Sequence, residues 1–514
     1  MWRICPQSIR TPIGQSVILG TIFLFIFTAY MTIQGYASQL YGSELGSNME
    51  MVLYGVFTGA CFVAPPITNM LGSRLTLFVG SLGYACLVGA SLLLAIEAEV
   101  VGTNGTDIGN HTAGPPAAAQ HVWCQVVVVI GGAMCGLGAA LLWTAQGRLM
   151  LEWSADGSDQ GRLFSVFWGL FNCSAVAGGL LTYFYFSHNT EDAPWPLYLV
   201  FLACIIAGGA ATGLLAPSSE IVFSQRPSKT SPSSAMDAAA LPPPAPLRSE
   251  QQQHQTMTTP PTPTWIAEAT ATIRLFSTRR MATLSLLFWY TGFNQPYQLN
   301  TFGDRYFDKS TLGLELALFY GAEVVGGFLV GWLLDREASA RVGAMRQLAI
   351  FIAVTLAGYT FSLVDELPVA MGKQNATQLS IADGAVVAPS AAFFLWGLSD
   401  SQVQGYAYWL IRQCHDDGPD MARAVGFYKM VQSLGWCVGF AMSPPTRVPP
   451  IVQNLLTLAM AVFGALLALL ELPPRTPPSL TKPLLAEPCN TAMAADQHGA
   501  VGSRSSSSVG GAVP

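Results

Sequence analysis

The chain has 514 residues, 51% of them hydrophobic and only 11% charged, with a net charge of −6 and a mean hydropathy of +0.41. Soluble domains carry about 25% charged residues, so most of this surface does not face water. The acidic balance and the missing basic stripe argue against a nucleic-acid partner. No Walker loop, nucleophile elbow or HExxH pair is present, which argues against an enzyme and gives no reason to expect a cofactor.

Taken in chain order, twelve stretches reach the roughly 20 apolar helical residues that cross a bilayer. They are 16–37, 50–71, 76–96, 122–146, 163–186, 196–216, 281–301, 313–334, 346–364, 389–410, 424–442 and 451–471. This predicts an all-α polytopic membrane protein with twelve transmembrane helices. The first span follows Arg3 and Arg10 and lacks a small-residue cleavage site, so it reads as a retained helix. Cytosolic loops retain Lys and Arg during insertion. With both termini cytosolic, all 24 such residues except Arg305, Lys309, Lys373 and Arg447 fall on or near that side. The sequons at Asn104 (NGT), Asn110 (NHT) and Asn375 (NAT) fall on the other side, as glycosylation requires. A fourth, Asn172 (NCS), lies inside span five. Of the ten cysteines, Cys61, Cys86, Cys135, Cys173, Cys204 and Cys437 lie within spans as small apolar residues, and no Cys/His spacing suggests a metal site.

Residues 217–264 are rich in Pro, Ser, Thr and Gln and too poor in apolar groups to fold, which predicts a disordered cytosolic linker. Residues 265–280 are amphipathic and suit a short helix on the inner membrane surface. The expected organisation is a cytosolic N-terminus (1–15), a six-helix bundle (16–216), the linker (217–280), a second six-helix bundle (281–471) and a disordered cytosolic tail (472–514). An internal repeat supports two related bundles. "FTAY" (27–30) answers to "YTGF" (290–293), "WTAQG" (143–147) to "SQVQG" (401–405), and "FWGLFNCS" (167–174) to "FYKMVQSL" (427–434), at nearly constant offset and in the same order.

"GWLLDREASARVG" (331–343), with Gly331, Asp335 and Arg336, resembles the G-x-L-x-D-R gating loop of the major facilitator superfamily. Its first-half counterpart "NMLGSRLTL" keeps Gly72 and Arg74 but has no aspartate. "LLWTAQGRLML", "GRLFSVFWGLFN", "FYGAEVVGGFLVGWLLDR", "WGLSDSQVQGYAYWL" and "RAVGFYKMVQSLG" together resemble the uncoordinated-93-like family of that superfamily. The resemblance covers most of the spans. It implies the major facilitator fold, built as two pseudo-symmetric six-helix bundles. For function it implies potassium-channel regulatory subunits, receptor-trafficking chaperones or transporters without an assigned substrate.

Three charges lie inside spans that would line the second half's cavity in that fold: Glu323, Asp400 and Lys429. A charge at the centre of a lone spanning helix costs about 2.5–3.5 kcal/mol on the insertion scale, so each needs a partner, a proton or water. The depths along their helices favour an Asp400–Lys429 pair, with Glu323 the less compensated acid. Snorkelling of Lys429 to the interface is the alternative. Gln34, Gln146, Asn172, Asn294, Gln295, Gln298, Gln402, Gln404 and Gln432 are polar candidates for the same cavity, or for interhelical bonds. Pro65–Pro66 and Pro296 are candidate helix breaks.

These features suggest a secondary transporter of a small solute or ion by alternating access, coupled to protons or cations. The alternative is a non-transporting regulatory or trafficking subunit of a channel or receptor. Either would sit in the plasma membrane or an endomembrane, with the lipid bilayer as its first partner.

Overall fold

The computed structural model describes residues 7–104, 121–153, 160–188, 195–216, 265–336, 339–414 and 419–472. All of them belong to the compact unit Met1–Pro473. The expected linker at 217–264, Asn110 and the tail from 473 onward lie outside the described residues.

A chain in lipid must satisfy its backbone N–H and C=O groups internally, and the apolar runs do so as helices. The first half comprises α1 (Pro12–Gly35), α2 (Ala37–Tyr41), α3 (Ser43–Ala60), α4 (Ala64–Leu71), α5 (Ser73–Asn104), α6 (Val122–Trp153), α7 (Gln160–His188) and α8 (Trp195–Ala211). The second comprises α9 (Trp265–Phe276), α10 (Arg279–Gln295), α11 (Gly303–Tyr306), α12 (Lys309–Arg336), α13 (Ala340–Ala370), α14 (Val387–Cys414), α15 (Pro419–Met442) and α16 (Pro450–Ala468). Among the described residues the one β pairing is an isolated bridge between Phe307 and Leu379.

Local chemistry sets the starts and breaks. Thr11 caps α1 by accepting from the Gly14 N–H at 3.1 Å, and Pro12 occupies the first turn, where its missing N–H is not needed. The stretch expected as one helix over 50–71 instead starts at Ser43 and breaks at 61–63. Pro65 and Pro66 have no N–H to continue the ladder there. Pro296 ends α10 and opens a π-helical segment over Pro296–Phe302, all seven residues of which are buried. Gly72, between α4 and α5, adopts φ +77°, a left-handed conformation that glycine tolerates and L side chains resist. Arg74 lies in the first turn of α5, Gly331 lies within α12, and Asp335 and Arg336 end that helix.

Among the described residues, eight helices are long and apolar enough to cross a membrane: α1, α5, α6, α7, α8, α12, α13 and α16. They make the chain a multi-pass integral membrane protein. Large apolar side chains stand exposed on its outer helices, among them Val200 and Ile206 on α8, Val364 on α13 and Phe463 on α16. Such a surface is suited to lipid. The less apolar long helices α3, α10, α14 and α15 pack inside the same bundle, α10 on α15 and α16, α14 on α12 and α13, α3 on α6 and α15.

Two seams join the halves, α7 against α12 and α3 against α15. The repeat pairs α7 with α15, so the two seams are counterparts of one another. At one end of the bundle the halves close tightly. Gly179 on α7 and Gly313 on α12 cross so closely that a methyl on Gly179 would lie 2.7 Å from the Gly313 carbonyl oxygen. The Tyr36 hydroxyl donates to the Lys309 carbonyl at 2.9 Å, and Asn300 donates to the Gln34 carbonyl at 3.1 Å. Thr446 and Arg447, between α15 and α16, donate to the Glu44 carboxylate at the start of α3. Asn375 is exposed at this same end, in the loop that follows α13.

Candidate functional site

Between the seams, helices of both halves enclose a cavity of about 70 Å³. One water needs roughly 10–15 Å³ of such space, so the cavity has room for several waters or a small solute. Its lining includes Gln34, Tyr54, Trp143, Glu323, Gln404 and Lys429.

The acidic wall is built by α10, α12 and α14. Asp400 on α14 is fully buried. Asn294 donates to its Oδ1 at 2.8 Å, while Gln295 at 3.1 Å and Gln404 at 2.6 Å donate to its Oδ2. Gln295 is held in turn by the Trp436 indole N–H at 3.2 Å. Glu323 on α12 is 6% exposed, within hydrogen-bonding reach of the Asp400 carboxyl and of Asn172 on α7, and its Oε1 has no partner. Two carboxylates offer only acceptors, so a hydrogen bond between these groups contains one proton. Two acids that shared one proton beside such a cavity would form a group whose charge responds to what enters it.

The basic wall is built by α15 with help from the first half. Lys429 Nζ donates to Gln432 Oε1 at 2.8 Å. Four rings surround it, with centroids at 5.0 Å for Trp143, 5.3 Å for Tyr428, 5.6 Å for Tyr408 and 5.7 Å for Trp168. The expected direct Asp400–Lys429 pair is corrected by this geometry, because neither residue is in an ion pair among the described residues. Gln432 donates to Gln404 at 3.2 Å, and Gln404 donates to Asp400, so two amides stand between the charges. Three amide donors already hold Asp400, and the lysine ammonium lies among aromatic rings of both halves.

A cation over several ring faces gains about 0.5–2 kcal/mol. Trp143→Leu removes the nearest ring face, and the part of its stability loss that is coupled to Lys429 should be about that amount. Thermal unfolding in detergent, with Lys429→Gln as the second arm of a double-mutant cycle, measures it. Additive losses would show that the ring does not hold the ammonium.

The other polar candidates divide. Gln34 lies in the cavity wall and donates to the Tyr54 hydroxyl at 2.8 Å, which in turn bonds Tyr30 at 2.9 Å. Gln146 is buried on α6 but is not part of the cavity lining. Gln298 donates to Tyr359 at 3.1 Å and Gln402 accepts from Gln347 at 3.3 Å, both inside the second half and away from the cavity. The four-ring cage and a fully buried acid on α3, Glu50, were not among the sequence candidates. The tryptophans of "LLWTAQG" and "FWGLFN" were the available signal for the cage. The acid in "NMEMVLYGVF" was the signal for Glu50.

The family model for the ion channel regulatory protein UNC-93 matches residues 122–470. The chain belongs to the UNC-93 family. UNC93-like protein 1 of Arabidopsis thaliana is 23% identical over 415 residues, covering 80% of this chain and 78% of that protein. Protein unc-93 homolog A of Bos taurus is 25% identical over 478 residues, covering 87% and 92% respectively. The xylose transporter XylE from E. coli, in a partially occluded inward-open conformation, superposes with a TM-score of 0.52 at 12% identity, over 89% of this chain and 98% of that one. This UNC-93 family member therefore has the major facilitator fold. At such identity the likeness speaks for the fold alone.

Proposed function

We propose that this protein is a secondary transporter of a small solute or ion that works by alternating access, with the Glu323–Asp400 proton as its coupling charge. The observation that carries the reading is the pair of buried acids, Glu323 and Asp400, beside a cavity between two halves, one end of which is closed by contacts across the halves. In such a device a solute and a proton compete for, or require, the same charge balance, and the halves rock about the seams. The less apolar helices α3, α10, α14 and α15 then also cross the bilayer, which makes twelve spans. They fall short in apolarity because they carry the polar cluster: Glu50, Asn294, Gln295, Asp400, Gln404, Lys429 and Gln432. The proposed topology puts both termini in the cytosol and the closed end, with Asn375, outside.

Uptake into proteoliposomes of potassium, protons and a panel of small metabolites, with and without an imposed proton gradient, tests the function. Flux equal to that of empty liposomes for every solute sinks it. Topology has a separate test. Asn375→Gln should remove one glycan's worth of mass on an electrophoretic gel of the protein from eukaryotic cells, and an unchanged band contradicts the orientation or the use of that sequon.

The family's description favours a second reading, a regulatory subunit of an ion channel. Its distinguishing result is stoichiometric co-purification with a channel together with no uptake in the liposome assay.

A further inference from the structure

We propose that Glu50 on α3 is a second proton-binding site, sealed in this conformation and opened to solution when the Glu44–Arg447 end of the bundle parts. Its occupancy by a proton stands on local geometry, and its release step rests on the alternating-access reading above.

Glu50 is 0% exposed, and neither carboxyl oxygen has a hydrogen-bond partner among the described residues. The titratable groups that face it come from every neighbouring element: Tyr30 on α1, Tyr41 on α2, Tyr54 on α3, Tyr84 on α5, Cys135 on α6 and Tyr320 on α12. None of these is a cation. Three of these hydroxyls are engaged in other bonds, Tyr30 with Tyr54 at 2.9 Å and Tyr41 with Ser91 at 2.6 Å. A buried carboxylate with no donor or counter-ion beside it is far more costly than the neutral carboxylic acid. The geometry therefore calls for a bound proton.

Its position gives that proton a route. Glu44, which accepts from Thr446 and Arg447 across the closed end, lies six residues earlier on the same helix, roughly 9 Å along the axis. Tyr54, one turn after Glu50, lines the central cavity together with Tyr30 and Gln34. The tyrosine pair thus stands between Glu50 and the cavity, and the Glu44–Arg447 contact stands between Glu50 and the outer solution. Glu323 faces the cavity, so the two carboxyls would be reached in opposite conformations.

Infrared difference spectroscopy of the full chain in lipid nanodiscs tests this without measuring transport. At neutral pH the wild-type minus Glu50→Gln spectrum should contain a protonated-carboxyl stretch. Arg447→Ala leaves Glu50 in place and loosens the closed end, so the same band should be lost at a several-fold higher proton concentration than in the wild type. Superimposable wild-type and Glu50→Gln spectra would mean an ionised Glu50 and overturn the site. A Glu50 band that titrates identically in Arg447→Ala overturns the sealing by that end. If Glu50→Gln does not fold, Glu50→Asp, which shifts the band without removing it, makes the assignment. Absence of uptake in liposomes would leave these spectra unchanged, so failure of the transport reading is separable from failure of this one.

Discussion

Glu323→Gln is expected to abolish the response of uptake to a proton gradient while the protein still folds and reaches the membrane. The amide keeps the shape of the side chain and can still donate to Asp400, so the wall stays packed, but no proton can leave. The cavity then cannot offset a charge that enters or departs. The cost of an uncompensated charge at mid-membrane, about 2.5–3.5 kcal/mol, corresponds to a loss of roughly 100-fold in gradient-driven rate. Asp400→Asn makes the informative contrast. It places a donor where three amide donors already converge, so part of its effect should appear as lost stability, at about 1–3 kcal/mol for each group left unpaired. Uptake measured at two internal pH values, with thermal unfolding in parallel, separates the two. Unchanged pH dependence in Glu323→Gln would end the coupling proposal.

The largest expected effect on stability comes from Gly292→Ala. A methyl there would collide with the carbonyl of Gln432 and lie 3.0 Å from the backbone nitrogen of Trp436, so α10 and α15 would have to separate. Overpacking of this kind costs about 1–3 kcal/mol. It would also displace Gln432, which accepts from Lys429 and bridges to Gln404, so the site should loosen with the fold. Gly321→Ala and Gly327→Ala on α12 are the controls, since nothing lies within 4 Å of the added methyl at either. Thermal unfolding in detergent should fall for the first and stay level for the controls. Equal stability of all three would mean that the α10–α15 crossing is looser than described.

Eight helical spans were readable because lipid demands long apolar runs, while Pro65–Pro66 marked a candidate break in a stretch still expected as one helix. Lys429, Asp400 and Glu323 stood out because an isolated charge in such a run is conspicuous. What the sequence hid was direction. Depth along the helix axis suggested a Lys429–Asp400 pair, but Gln432 and Gln404, three and four residues on from each charge, share the same helix faces and intercept it. The cage was hidden because Trp143 and Trp168 meet Lys429 across the two halves, a contact that no local pattern encodes. Glu50 escaped notice because span two was expected to start there, which makes an acid look interfacial. Since α3 starts at Ser43, that acid sits roughly 10 Å inside the helix.

The π-helical segment after Pro296 has a mechanical consequence. Immediately before it, Asn294 and Gln295 grip the acidic wall through Asp400. Near its far end, Asn300 grips α1 through the Gln34 carbonyl at the closed end, and Thr301 donates to the Ser443 carbonyl at 2.8 Å just before the Arg447 loop. A π turn holds one more residue per hydrogen-bonded ring than an α turn, so reverting to α geometry would rotate and advance everything beyond it. The segment thus has the form of a crank, with one handle at the carboxyls and the other at the closed end. In the proposed transport cycle, a change in protonation at one would be delivered as torque at the other, through fewer than ten residues of backbone.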